Sequence, residues 1–337
     1  MKACRREATP YTPVWLMRQA GRYMKDYRDV RDKVPFIDLC KNPALAAEVT
    51  VTAQERLNVD AAIIFSDILL LVEPMGMKLE YLKGDGPTLA APIRTREGVE
   101  ALREVDALRS MGYVMEAIRL TRRSLKPHIP LIGFAGAPFT LASYMIEGGS
   151  TKTFQHVRGF MRSDEGLWHE LLSKITRATI GYLNAQVDAG AQALQLFDSW
   201  VGQLTAEEYR RYVLRHSQEL IRGVSGRVPV IHFGTKTGDF LDLMREAGGD
   251  VIGADHRVGL AEAWKKIGYD RAIQGNLDPA LLLGPVDIMR RQVEQILREA
   301  GGRPGHIFNL GHGITPDTPV ENVIALVDMV HQLSTTR

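Results

Sequence analysis

At 337 residues, 45% hydrophobic and 24% charged, the chain has the ordinary composition of a soluble globular protein, with apolar material for a large core. Its 42 Lys and Arg against 40 Asp and Glu leave a formal net charge of +2, which excludes an overall field for nucleic acid or a membrane surface; any positive field is local. Two cysteines, Cys4 and Cys40, exclude a disulfide framework, and no Cys-x-x-Cys pair is present for zinc or redox chemistry.

The opening residues Met1 to Glu7 lead into Thr9, Pro10 and Tyr11 rather than an apolar run, which predicts no secretory signal. The first predicted strand, Val14 to Met17, empties into Arg18 and Arg22, which flank Gly21. Arginine presents a planar fork of donors that matches carboxylate or phosphate oxygens two at a time, and glycine lets the backbone turn sharply or approach an anion. The i, i+4 spacing of the two arginines also suits the solvated face of a helix; Trp15 and Met17 just upstream favour a buried strand ending at a cleft.

Further strands are predicted at Ala61 to Phe65, Leu131 to Phe134, Ala193 to Phe197, Val230 to Phe233, Asp250 to Ala254, Arg271 to Gln274 and Ile307 to Leu310. The longest apolar run, Ala61 to Val72, is interrupted by Ser66 and Asp67 and is too short to span a bilayer, so the expected location is the cytoplasm. Helical spacing of apolar residues marks Ala44 to Leu57, Gly98 to Leu125, Glu165 to Ala189, Ala206 to Val224 and Val286 to Ala300. Gly190 and Gly248 stand where left-handed caps would stop two helices. Met75 to Pro92 breaks the rhythm and predicts a hairpin-like excursion.

Eight strands alternating with helices predict an α/β fold, a closed (β/α)8 TIM barrel, with an open doubly wound sheet as the alternative. No linker or low-complexity segment divides the chain, so residues 1–337 are expected to form a single domain. The predicted strand exits carry Arg18, Asp67, Ala135 to Pro138, Asp198, Ser199, His232, Asp255, His256, Asn276, Asp278 and Gly311 to Gly313. In a barrel these share the C-terminal rim, where barrel active sites are built.

The run Pro13-Val14-Trp15-Leu16-Met17-Arg18-Gln19-Ala20-Gly21-Arg22 closely resembles the N-terminal signature of the uroporphyrinogen decarboxylase family. Four further segments agree in order: Ile64-Phe65-Ser66-Asp67-Ile68; Gly133 to Thr140, continuing to Tyr144 and Glu147-Gly148-Gly149; Gln195-Leu196-Phe197-Asp198-Ser199; and Asn309-Leu310-Gly311-His312-Gly313-Ile314. The resemblance implies a homodimeric single barrel that removes carbon dioxide from the four acetate side chains of uroporphyrinogen III, giving coproporphyrinogen III without a cofactor. Carried over by position, it implies that Arg18, Gln19, Ala20, Gly21 and Arg22 bind the substrate and that Asp67 sits beneath the centre of the macrocycle. Tyr144, Ser199 and His312 complete the implied site, with Arg18, Asp67, Tyr144 and His312 as its catalytic members.

The chemistry is consistent with those residues. A substrate with eight carboxylates and four pyrrole N–H groups needs cations at its rim and an anion at its middle. Decarboxylation normally needs an electron sink such as pyridoxal phosphate, thiamine or a metal, but a ring-protonated pyrrole is itself such a sink. Each residue also has a plainer role: Asp67 and Ser199 as helix caps, Tyr144 as a core residue, and Arg28 and Arg31 on a solvated helix. His312, between two glycines, lacks core packing and points more firmly to function. The enzymatic rival is a methyltransferase of the same barrel that holds zinc through a His-x-Cys pair. Here the corresponding stretch is His232-Phe233-Gly234, and Cys4 and Cys40 lie near no strand exit, so no metal site is expected. Lys236 in a polar loop is weak support for a pyridoxal-phosphate lyase, and a tetrapyrrole carrier is the non-enzymatic alternative. Asp67 argues against a carrier, because a pure carrier of a polyanion gains nothing from another anion beneath it.

Overall fold

The computed structural model describes residues 1–82 and 86–335; residues 83–85, inside the expected excursion, and residues 336–337 lie outside the described residues. Strand β1 (Ala62–Ile63) is followed by the antiparallel pair β2 (Leu79–Leu82) and β3 (Gly86–Leu89), which is the excursion. Then come β4 (Leu131–Gly136), β5 (Ala193–Asp198), β6 (Val230–Gly234), β7 (Val251–Gly253), β8 (Ala272–Gln274) and β9 (His306–Ile307). The main sheet is parallel throughout, in the order β1-β4-β5-β6-β7-β8-β9.

The eighth stave is the segment around Val14. Val14 bridges Phe308 in parallel; Phe308 N–H donates to Pro13 O (2.8 Å), and on the other edge Asp60 N–H donates to Val14 O (2.8 Å). Residues beyond β9 and before β1 are thereby joined through one segment, which closes the barrel. The expected strand over Val14 to Met17 is irregular because side chains take its backbone donors. Val14 N–H goes to Asp60 Oδ2 (2.7 Å), Leu16 N–H to Gln19 Oε1 (3.3 Å) and Met17 N–H to Asn309 Oδ1 (3.1 Å).

Strand alternation separates two packed layers. Ala61, Ile132, Ala193, Ile231, Val251, Ala272 and Ile307 fill the barrel interior with Trp15, and a 3₁₀ turn at Ala3–Arg5 adds Ala3 and Cys4 to that cluster. The opposite face, including Leu131, Leu194, Val230, Ile252 and Ile273, packs against the helices. An amide chain crosses the interior: Trp15 Nε1–H donates to Gln274 Oε1 (2.9 Å), and Gln274 Nε2 to Gln195 Oε1 (3.4 Å).

The helices Pro43–Leu57, Glu165–Ala189 and Val286–Ala300 match their expected extents, the second running from an Asp164 cap to Gly190 at φ 120°. Two expected helices are divided. Gly98 to Leu125 becomes Arg96–Glu100, Ala107–Ser110 and Gly112–Ser124, because Asp106 starts a new helix by accepting from Arg109 N–H (3.1 Å). Ala206 to Val224 breaks at Val213, whose φ −125° and ψ −44° separate Ala206–Tyr212 from Leu214–Val224. The β2–β3 hairpin is tied to the helix Pro138–Glu147 and its exit: Ile93 N–H donates to Met145 O (2.8 Å) and Leu89 N–H to Gly148 O (2.9 Å), while Thr88 bridges Gly149. That attachment brings the hairpin to the barrel mouth.

Candidate active site

Arg18 ends the irregular stave at φ 63°, a left-handed conformation that is costly for a side-chain-bearing residue. Its exposed side chain lies across the His312–Gly313 backbone: a Cβ on Gly313 would stand 2.5 Å from Arg18 Cδ and 2.8 Å from Nε. Ile314 N–H donates to Met17 O (3.0 Å) and locks the two segments together. Gln19 is 1% exposed, and its side chain binds within the protein, accepting from Leu16 N–H and donating to Ala61 O (3.2 Å). Ala20 and Gly21 are half-buried and Arg22 is exposed. Arg28 is not aimed at a ligand: its guanidinium donates to Arg22 O (2.8 Å) and Tyr23 O (2.9 Å), while Arg31 donates to Val34 O (2.7 Å).

Asp67 follows β1 on the interior parity of Ala61 and Ile63. Its Oδ1 accepts Leu69 N–H (2.8 Å), so it does cap the 3₁₀ turn Ile68–Val72 while its second oxygen remains available. Only half-buried at its surface, it is nevertheless ringed by protein. Desolvation pushes its carboxyl up, opposed by the Leu69 N–H, the Tyr81 hydroxyl and the Arg18 charge. Tyr144, on the helix Pro138–Glu147, stacks on Trp200 at 3.8 Å between ring centroids. Burial and the neighbouring Asp67 push its phenol up to about 12, against contact with Ser150 and the Arg18 charge. Ser199 precedes Trp200, and its carbonyl accepts from Thr235 Oγ1 (2.6 Å); the following turn is not capped by it. His312 is exposed at its surface beside Arg18; partial desolvation by the surrounding protein, with the charges of Arg18, His256 and Arg257, holds its pKa down.

Arg18, Asp67 and Tyr144 therefore lie within mutual electrostatic reach, with His312 beside Arg18 and Ser199 one residue from the ring under Tyr144. Several residues expected at the rim turn elsewhere. His232 alternates with the interior residues Ile231 and Phe233, so it enters the helix layer at 0% exposure, against the backbone of Met244 and Gly248. Asp198 likewise faces outward to Thr140 Oγ1 (2.8 Å). Asn276 donates to Asp255 O and Val258 O, and Asp278 caps Ala280 N–H. Neither Tyr81 nor Trp200 carries a motif in the sequence; the one local signal for Tyr81 is its place in the excursion that breaks the strand–helix rhythm.

Among the described residues, no group of three or more His, Cys, Asp or Glu is placed to hold a metal ion, and both cysteines are buried free thiols. A cavity of about 270 Å³ behind the arginine segment, lined in part by Met24, Tyr27 and Val49, is distinct from this mouth and shares with the implied site only Ala20.

The family model for uroporphyrinogen decarboxylase (URO-D) matches residues 1–333. The chain belongs to the uroporphyrinogen decarboxylase family. The uroporphyrinogen decarboxylase of Carboxydothermus hydrogenoformans is 53% identical over 335 residues, covering 99% of this chain and 96% of the relative. That of Sorangium cellulosum is 52% identical over 334 residues, covering 99% and 95%. Among solved structures, a methyltransferase from Methanosarcina mazei superposes with a TM-score of 0.81 at 23% identity, covering 98% of this chain and 96% of that one. A B12-independent methionine synthase from Shewanella gives 0.60 at 10% identity, covering 97% and 98%. At such identities the likeness is one of fold.

Proposed function

We propose that the mouth built around Asp67 carries out the family's reaction, removal of four carbon dioxide molecules from uroporphyrinogen III to give coproporphyrinogen III. The chain is a carboxy-lyase of tetrapyrrole, and hence haem, biosynthesis. The observation that carries the site assignment is the Asp67 carboxyl with Tyr81, Tyr144 and Arg18 as electrostatic neighbours, and the Arg18 side chain lying against Gly313 next to His312. Arg18 and Arg22 grip peripheral carboxylates, and Gln19, Ala20 and Gly21 shape the loop between them, Gln19 by its internal hydrogen bonds. Asp67 accepts pyrrole N–H groups, and Tyr144, Ser199 and His312 contact the substrate's edge.

In this reading a ring carbon of one pyrrole takes up a proton and gives an azafulvene-like cation. The acetate's C–C electron pair moves into that cation as carbon dioxide leaves, and the exocyclic methylene formed is then protonated while the ring carbon returns its proton. Each cycle consumes one proton net and releases one carbon dioxide. Asp67 opposes the positive charge that develops, as an oxyanion hole does with the signs reversed. No cofactor is required, because the pyrrole is the electron sink. We further place the enzyme in the cytoplasm as a homodimer whose protomer is one barrel domain over residues 1–337. Among the described residues no helix is long and apolar enough to cross a membrane.

Anaerobic incubation with uroporphyrinogen III, followed by mass spectrometry, is expected to show stepwise loss of up to four carboxyl groups, unaffected by EDTA. Retention of all eight carboxyls overturns the reading, and activity lost to EDTA and restored by zinc overturns its metal independence. Light scattering during gel filtration tests the dimer.

A further inference from the structure

The β2–β3 hairpin delivers Tyr81 to the Asp67 side of the mouth. On β2 it pairs with Pro87, and its ring packs on Phe36 at 4.7 Å; Phe36 in turn meets Phe65, two residues before Asp67, at 6.1 Å. Its hydroxyl is buried and makes no hydrogen bond in this unliganded state, and Asp67 is the carboxylate within its electrostatic reach. Catalytic contacts are commonly long in the unliganded state and tighten on binding. The hairpin is fastened at Gly148 and Gly149, just past the helix that carries Tyr144, so the same backbone bonds set both phenols about one acid.

We infer that Tyr81 is a positioning residue for decarboxylation, its hydroxyl donating to the Asp67 carboxylate and holding it in place beneath the substrate. This rests on the role proposed for Asp67. The acid's own environment demands such a partner: desolvation favours its neutral form, which could not balance a cationic intermediate, and a donated hydrogen bond favours the anion. Among the described residues the titratable groups within electrostatic reach of Asp67 are Arg18, Tyr81, Tyr144, Cys40 and Tyr182. Burial holds the three tyrosines and Cys40 protonated at neutral pH, which leaves the Asp67 carboxyl, itself raised by desolvation, as the member of this cluster whose ionisation the acid limb is expected to report.

The test is the pH dependence of kcat and KM for uroporphyrinogen III under anaerobic conditions, between about pH 5 and 9, in the parent, Tyr81→Phe and Tyr81→3-fluorotyrosine. Removing the donor is expected to move the acid limb of kcat up by about 1 pH unit, and to lower kcat at neutral pH about 10-fold with KM within about 2-fold. The more acidic fluorophenol, a stronger donor of nearly the same shape, is expected to move the limb down. Opposite displacements are a signature that a merely structural tyrosine does not produce. An acid limb unmoved in either folded variant overturns the inference, and the fluorinated enzyme alone decides if Tyr81→Phe does not fold. Failure of the underlying reading is seen separately, as normal turnover in Asp67→Asn.

Discussion

Two strand exits carry nearly the same signal and come to different ends. β1 runs into Ile64-Phe65-Ser66-Asp67, and β5 ends Leu196-Phe197-Asp198. Asp67 keeps the interior parity of its strand and meets Arg18, Tyr81, Tyr144 and one backbone N–H. Asp198 follows the interior residue Phe197, so it points into the helix layer, where Thr140 is its hydrogen-bond partner and its second oxygen has none among the described residues. Burial pushes the Asp198 carboxyl from an ordinary 3.8 up to about 7. One residue of register thus separates an acid with cationic and phenolic neighbours from an acid held nearly neutral in the wall.

The largest break in that comparison is expected from Asp67→Asn. The change preserves size and the capping oxygen while removing the charge, so the protein should fold and bind substrate with turnover lowered by at least about 10². Near-normal turnover in the anaerobic assay would sink the role given to Asp67. Arg18→Ala should have the next effect. Loss of a charge-assisted contact worth roughly 1.5–3 kcal/mol lowers kcat/KM by about 10- to 150-fold, and loss of the cation lets the acid limb set by Asp67 rise. Lysine is not expected to rescue fully, since it lacks the planar fork. Normal kinetics in folded Arg18→Ala would assign that arginine to the surface.

Asp198→Asn should leave turnover within about 3-fold and act on stability instead. A carboxyl whose pKa is higher folded than unfolded binds more protons when folded, so its contribution is fully present below about pH 4 and lost as pH rises through about 7. The displacement corresponds to roughly 4 kcal/mol at most. Urea unfolding of the parent should therefore weaken between about pH 4 and 7 relative to Asp198→Asn, with the variant the more stable at the upper end. Parallel stability curves would show that Asp198 is not held neutral. A fall in turnover at constant stability would place it in the mouth after all.

Much of the architecture was legible locally. β4, β5 and β6 announce themselves as short apolar runs, and the helix Glu165–Ala189 is bounded by a capping aspartate and a glycine that accepts positive φ. The divided helices were less legible, since apolar spacing continues through Asp106 and Val213 while local backbone geometry does not. The stave at Val14 reads as a strand by composition, but its donors are satisfied by Asp60, Gln19 and Asn309, the first and last far away in the chain.

What the sequence by itself determined is the strand–helix alternation, the family signatures and the residue types gathered at the rim, because hydrophobic periodicity and short-range backbone preferences are local properties. Only the tertiary structure decided which of those residues share the mouth. His232 and Asp198 turn into the helix layer through one step of strand parity, Gln19 turns inward to bind the backbone, and Tyr81 reaches Asp67 because a hairpin folds back against Gly148 and Gly149. Side-chain direction at a strand exit depends on register and on partners distant in the chain, and neither is written in the residues on either side of it.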